Sequence, residues 1–302
     1  MAPIILGEAE VREKLDWASL SAGLRTALSE YSAGRVLQPL RQVLSTGKND
    51  GRFALMPAVC GGLMGAKLVT VYPHNGRLGL HTHFGVIVLF DSETGAPLAV
   101  VDGRLITEMR TAAVSAIATD LLARPDSRVL AILGSGVQAR AHWEALRRVR
   151  ALDEVRVWSR TPANAARLAA EIAAAATLTA ESAVRGADVV VAATATREPI
   201  LKGEWLKPGA HVNAIGAIGP AHRELDDAVM HNAVVVECRE AASRESADIM
   251  QTGATIYAEL GELLAGRVAP PAGVTTVYKS VGIAVEDLAA AALVYQAARR
   301  ER

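Results

Sequence analysis

Apolar positions along the chain change rhythm once, near residue 115. Before it they recur at helical spacing over residues 8–17 and 19–33, the second stretch closing at Gly34. Short strand-like runs follow at residues 42–44, 53–56, 65–72, 84–91 and 97–102. The intervening Asn49-Asp50-Gly51, His74-Asn75-Gly76 and Thr94-Gly95 suit tight reversals. This pattern predicts a mostly antiparallel sheet with helices, an α+β unit, leading into a long helix over residues 107–122. From Arg128 onward, strand-like runs at 128–133, 154–159, 188–193, 211–215 and 233–237 alternate with helical stretches. That alternation predicts an α/β, Rossmann-type doubly wound parallel sheet. The alanine-rich residues 173–176 read as plain helix, and residues 286–302 as a last helix that returns to the first domain.

A chain of 302 residues is long for one hydrophobic core, in keeping with two domains. Lysine plus arginine and aspartate plus glutamate both number 32, so the net charge is +0 and nothing points to nucleic acid. No apolar stretch reaches the ~20 residues that span a bilayer, and the opening residues carry no basic leader, so no membrane partner and a cytoplasmic location are expected. Cys60 and Cys238 lie far apart and fit no metal spacing, which reads as two free thiols.

The most informative motif is RVLAIL-GSGVQA-RAHWEAL, with Gly134, Gly136 and Ala139 in G-x-G-x-x-A order between a strand and a helix. Gly134 permits the tight turn, Gly136 lets backbone approach a pyrophosphate, and Ala139 keeps helix and strand close. Ser135, Val137 and Gln138 complete the loop, and the helix N-terminus supplies N–H groups and dipole for an anion. An NAD site usually ends the next strand with a carboxylate. Here Ser159-Arg160-Thr161 stands there, with Thr161 and Pro162 as a helix start and Asn164 just inside it. A guanidinium at that point pairs with a 2′-phosphate, so NADP(H) is the expected cofactor and NAD(H) a second possibility; a solvated surface arginine is the alternative.

Many further stretches resemble the ornithine cyclodeaminase/mu-crystallin family: QPLR (38–41), AKLVT (66–70), the His83 strand, DGRLITEMRTAAVSAIAT (102–119), LGSGVQA (133–139), GEWLKPGAHVNAIGA (203–217), RELDD (223–227) and YKSVGIAVED (278–287). The resemblance implies a substrate and dimerisation domain of residues 1–118 completed by 283–302, a Rossmann domain over 119–282, and a homodimer. It implies that Arg41, Lys67 and Arg110 hold a small acid's carboxylate, a role that charge-assisted clamping suits. Lys67 stands out independently, because a lysine in the apolar run GAKLVTVY needs a partner or a task. Thr82 and His83 are implied near nicotinamide and substrate. Thr194, Ile215 and Val281 are implied as lining the cofactor pocket. His81 and His83, read on one strand face, lack a third metal ligand, so no metal is expected. Asp226 is implied as the catalytic acid–base alongside Lys67; a helix N-terminal carboxylate is its other reading. The implied chemistry is NADPH-dependent reduction of a cyclic ketimine acid such as Δ1-pyrroline-2-carboxylate or Δ1-piperideine-2-carboxylate. Ornithine cyclodeamination, an open-chain amino acid or imine dehydrogenase, and a non-catalytic ligand-binding role stand as alternatives. Two departures from the family pattern are Ala247 in place of a glycine and a short, glycine-rich loop over residues 58–65.

Overall fold

A computed structural model of the chain describes residues 2–301. It divides into two units, Met1–Arg110 with Gly282–Arg302, and Thr111–Val281. The first division falls inside a helix, eight residues before the expected 118.

The first unit opens with β1 (Ile4–Leu6), α1 (Glu8–Lys14) and α2 (Trp17–Ser32). Asp16 caps α2, its Oδ1 accepting the N–H groups of Ala18 and Ser19 at 2.9 Å each. Strands β2 (Gln42–Ser45), β3 (Arg52–Cys60), β4 (Leu63–Val71), β5 (His83–Asp91) and β6 (Pro97–Asp102) follow, and α3 (Gly103–Leu122) leads out of the sheet. The sheet order is β1-β6-β5-β4-β3-β2, antiparallel except for the β1–β6 pair. Strand alternation sends Met56, Ala58, Lys67, Val69, Ile87 and Leu89 to one buried face. Residues 58–65, expected as a loop, are instead the ends of β3 and β4, reversing at Gly61-Gly62 with both glycines at positive φ. Likewise, the strand carrying His83 begins at that residue, so the alternation proposed to include His81 does not reach it.

The second unit contains β7 (Val129–Leu133), α4 (Val137–Leu146), β8 (Glu154–Trp158), α5 (Pro162–Glu171), β9 (Ala175–Ala176), α6 (Ala180–Val184), β10 (Val189–Ala192) and β11 (His211–Ala214). After these come α7 (Asp227–Met230), β12 (Ala233–Val236), α8 (Arg239–Glu245), α9 (Ala247–Thr252), β13 (Ile256–Glu259), α10 (Leu260–Leu264) and β14 (Thr276–Lys279). The sheet is wholly parallel, in the order β13-β12-β14-β11-β10-β7-β8-β9. Strands β10, β11 and β14 are buried along their whole length, as expected of strands covered on both faces. The alanine-rich residues 173–176 are not helix. Helix α5 stops at Glu171, Ala173 turns at φ 54°, and Ala175–Ala176 pairs with β8 at the sheet edge. Hydrogen bonding to an open strand edge overrides alanine's helix preference here.

A buried polar chain crosses this unit. The Nδ1–H of His142 donates to the Gln138 carbonyl (2.7 Å), so its Nε2 accepts from the Ser115 hydroxyl (2.9 Å). The Asn213 amide donates to Thr119 (2.9 Å), and Asn213 Oδ1 and Thr276 Oγ1 flank the two nitrogens of His211.

Finally α11 (Ala284–Arg300) belongs to the first unit, where it packs on α2 and on β3, β4 and β5. Among the described residues no helix is long and apolar enough to cross a membrane.

Candidate active site

In the first unit the inward face of β4 places Lys67 opposite Met56 and Ile87, only 3% exposed. A buried ammonium is costly unless paired, and the first turn of α11 supplies the partner: Asp287 Oδ2 stands 2.6 Å from Lys67 Nζ. Arg110, on α3, donates from Nε to Asp287 Oδ1 (3.1 Å) and from Nη1 to Glu286 Oε2 (2.8 Å). Arg41 donates from Nη2 to the Gly282 carbonyl at 2.6 Å. Gly282 has φ +69°, and a Cβ there would lie 2.5 Å from Arg110 Nη1, so both the backbone angle and the guanidinium demand glycine. Gln38 Oε1 accepts from the N–H of Val285 (2.8 Å) and ties the QPLR segment to the start of α11.

These charges act on one another. Burial pushes the Lys67 ammonium down to about 8; Asp287 opposes the shift, while Arg110 and Arg41 add to it. Burial, with Lys67 and Arg110 nearby, lowers His83 to about 4, so its ring is neutral at pH 7. Burial disfavours the Asp287 carboxylate, but Arg110 and Lys67 outweigh it and hold the group below the usual carboxylate range. Three cations, Arg41, Lys67 and Arg110, therefore share one environment with two carboxylates, Glu286 and Asp287. One positive charge remains in excess, which suits a ligand carrying one carboxylate. Thr82 is exposed at the approach to β5, its carbonyl accepting from Tyr72 N–H (2.8 Å). His81, also exposed, packs edge-on against Phe84.

In the second unit Gly134 adopts φ +129°, and a Cβ there would sit 2.4 Å from the Ala193 carbonyl oxygen. Its N–H donates to Trp158 O (2.8 Å), holding the turn against the ends of β8 and β10. Gly136 is the N-cap of α4; no side chain caps it, and among the described residues, its chain neighbours aside, no atom lies within 4 Å of the position its Cβ would take. That open space, in front of the first N–H groups of α4 from Val137 and Gln138 onward, is a cradle that fits a pyrophosphate. Ser135 Oγ donates to Ser159 Oγ at 2.9 Å, joining the glycine turn to the end of β8. Arg160 is exposed and makes no ion pair among the described residues. Thr161 occupies the N-cap of α5 before Pro162 without a side-chain capping bond, and Asn164 Oδ1 accepts from Arg167 (3.1 Å). A phosphate beside Arg160 finds a guanidinium, a hydroxyl and a helix N-terminus.

Other expected site residues lie in the second unit. Asp226 is the N-cap of α7, with Oδ1 accepting from Val229 N–H (2.9 Å) and Gly203 N–H (3.0 Å). The helix N-terminal reading describes that geometry. Ile215 and Val281 are 6% and 1% exposed. Thr194 is half-buried and bonded to Glu224, a residue that the sequence reading passed over. Glu286, Asp287 and Glu237 were passed over as well. Glu237 accepts from the Tyr278 and Ser280 hydroxyls and from Val281 N–H. Adjacent acids at a helix start usually serve its dipole. The available signal was their setting, since both Glu286 and Asp287 follow the apolar run VGIAV.

Residues 1–302 match the sequence pattern described as the ornithine cyclodeaminase/mu-crystallin family. The ketimine reductase mu-crystallin of Mus musculus is 46% identical over 303 residues, 97% of each chain. Among solved structures, Thermococcus litoralis Δ1-pyrroline-2-carboxylate reductase in complex with NADH and L-proline aligns with a TM-score of 0.94 at 33% identity, covering 99% of this chain and 98% of that one. An archaeal alanine dehydrogenase dimer with bound NAD gives a TM-score of 0.94 at 33% identity, covering 100% and 97%.

Proposed function

The chain belongs to the ornithine cyclodeaminase/mu-crystallin family, and from that premise we propose that it is a nicotinamide-dependent reductase of cyclic ketimine acids. Δ1-Pyrroline-2-carboxylate and Δ1-piperideine-2-carboxylate are its substrate class, L-proline and L-pipecolate the products. The observation that carries this reading is the single excess positive charge among Arg41, Lys67, Arg110, Glu286 and Asp287. One relative is named a ketimine reductase, and the other, named a Δ1-pyrroline-2-carboxylate reductase, holds NADH with L-proline.

Arg41 and Arg110 hold the substrate carboxylate, and fixing the acid restricts the ring to few orientations. When bound, the reduced dinucleotide supplies the hydride. The imine nitrogen takes up a proton as its carbon is reduced, and Lys67, with a pKa near the working pH, is the residue assigned to give it. Neutral His83 leaves that charge pattern undisturbed at neutral pH. Asp226 is assigned to holding α7 and the Gly203 backbone.

NADPH is the proposed cofactor, supported by exposed Arg160 and by the missing carboxylate at the end of β8. A homodimer is proposed as well. The outer face of the first unit's sheet exposes Phe84 and Val86, and edge strand β2 exposes Val43 and Leu44, apolar surface that a second copy would cover. The archaeal relative's dimer agrees with this. Among the described residues Cys60 and Cys238 form no disulfide, which accords with a cytoplasmic setting.

The deciding assay follows loss of reduced-cofactor absorbance with both imino acids, using NADPH and NADH in parallel. Rapid oxidation is expected, faster with NADPH. Ammonia release from ornithine without net cofactor change, and no imine reduction, would overturn the reading.

A further inference from the structure

Resting on the dinucleotide reading above, we infer that Glu224 is a positioning residue that shapes the nicotinamide end of the cofactor cleft by clamping the Thr194 and Gly216-Ala217 segments together. Glu224 is 0% exposed and accepts four hydrogen bonds. Its Oε1 takes the Thr194 N–H (2.6 Å) and the Thr194 hydroxyl (2.7 Å). Its Oε2 takes the N–H groups of Gly216 (2.8 Å) and Ala217 (3.1 Å). The two segments touch, because a Cβ on Gly216 would lie 2.1 Å from the Thr194 carbonyl oxygen.

A second buried pair supports this carboxylate. Lys279 Nζ donates to the Ala217 carbonyl (2.9 Å) and lies 3.0 Å from Asp248 Oδ2. Asp248 Oδ1 accepts the N–H groups of Glu224 and Leu225, each at 3.0 Å. Lys279 and Asp248 are both fully buried. This much buried charge is costly, and what it fixes is two short loops.

Strand order says which end of the cleft those loops occupy. Thr194 follows β10 and Gly216 follows β11, on one side of β7; Ser159 and Arg160 follow β8, on the other. Ligands of such sheets lie across the carboxyl ends of the strands where the order reverses. With pyrophosphate at α4 and the 2′ end at Arg160, the nicotinamide half runs over the ends of β10 and β11. Three of the four donors to Glu224 are backbone N–H groups, which cannot accept. Burial raises the Glu224 carboxyl, while Lys279, the Thr194 hydroxyl and the backbone N–H groups oppose that shift; in the ionised form both oxygens accept, the Thr194 hydroxyl hydrogen points to Glu224, and the hydroxyl oxygen is left as an acceptor. A carboxamide N–H2, as on nicotinamide, is the donor it fits.

The test measures dissociation constants by fluorescence titration for two pairs, NADPH with 2′,5′-ADP and NADH with ADP-ribose; the second member of each pair lacks nicotinamide. In E224Q an amide N–H2 faces backbone N–H donors, so binding of the reduced dinucleotide should weaken about tenfold or more while the nicotinamide-free partner stays within about twofold. T194V keeps the backbone and removes the acceptor, and should show the same split at about fivefold; T194S should restore binding. Equal weakening of both members of a pair, or unchanged dinucleotide binding in T194V, would overturn the inference. T194V and T194S decide it alone if E224Q does not fold. Wild-type protein that bound neither dinucleotide would instead overturn the cofactor reading itself.

Discussion

Single residues carry most of the chemistry. Arg160, just past the end of β8, makes no ion pair among the described residues, and a lost charge-assisted pair is worth about 1.5–3 kcal/mol. R160A is therefore expected to raise the KM for NADPH by about 10- to 100-fold and to leave that for NADH within about threefold. Equal changes for both cofactors would dismiss the 2′-phosphate assignment. Lys67, lowered to about 8, is charged below that pH and neutral above it. The pH profile of kcat/KM should be level toward neutrality and fall with a limb near 8. K67R does not titrate in that range and should lack the limb. A limb that persisted in K67R would belong to the substrate and remove Lys67 from the proton's path.

At the scale of elements, the last helix completes the cluster proposed to bind the acid. The first turn of α11 brings Glu286 and Asp287 to Arg110 and Lys67, and the chain enters it through Gly282. Alanine at 282 would have to adopt φ +69° at about 1 kcal/mol and place a methyl 2.5 Å from Arg110 Nη1. G282A should displace the guanidinium and raise the KM for the imino acid about tenfold or more, with cofactor dissociation constants unchanged. Steady-state kinetics with cofactor titration separates the two; an unaltered KM would show that Arg110 does not hold the acid. Helix α4 illustrates the complementary device, an N-terminus that glycine leaves open rather than one a side chain fills.

For the whole molecule, acid stability and assembly are the measurable consequences. Burial lowers His142 to about 4 and His211 to about 3, against 6.5 for an ordinary histidine. The unfolded chain therefore takes up these protons first as pH falls. Stability is fully present above about pH 6.5 and is lost from there down to about pH 4 for His142 and about pH 3 for His211, by about 2 kcal/mol per histidine at pH 5. Denaturant unfolding at pH 7 and pH 5 reads this directly, and equal stabilities would contradict the neutral, buried pair. Light scattering is expected to give twice the 31.7 kDa chain mass. Charging the exposed sheet face with F84E/V86E should yield monomers; a wild-type monomer would leave that apolar face unexplained.

Much of this was legible in the amino-acid sequence because it is local. Strand, glycine turn and helix at 129–146 follow from short-range pattern, since a parallel strand buried on both faces reads as a continuous apolar run. Arg160 is readable for the same reason, its role depending on its place at a strand end. Lys67 announced itself by being charged among apolar neighbours. Strand β14 was not legible: four residues, 276–279, enter the middle of the second sheet between β11 and β12, and only long-range hydrogen bonding puts them there. The partners of buried charge were equally hidden. Asp287 is 220 positions from Lys67 along the chain, Glu224 30 from Thr194, and Lys279 31 from Asp248. Residue type and spacing pointed to a dinucleotide turn and to a buried lysine, and the family resemblance implied where an acid would bind. Which carboxylate neutralises which cation, and which backbone each one holds, was decided by tertiary structure, because desolvation makes pairing obligatory only after the chain has closed around those groups.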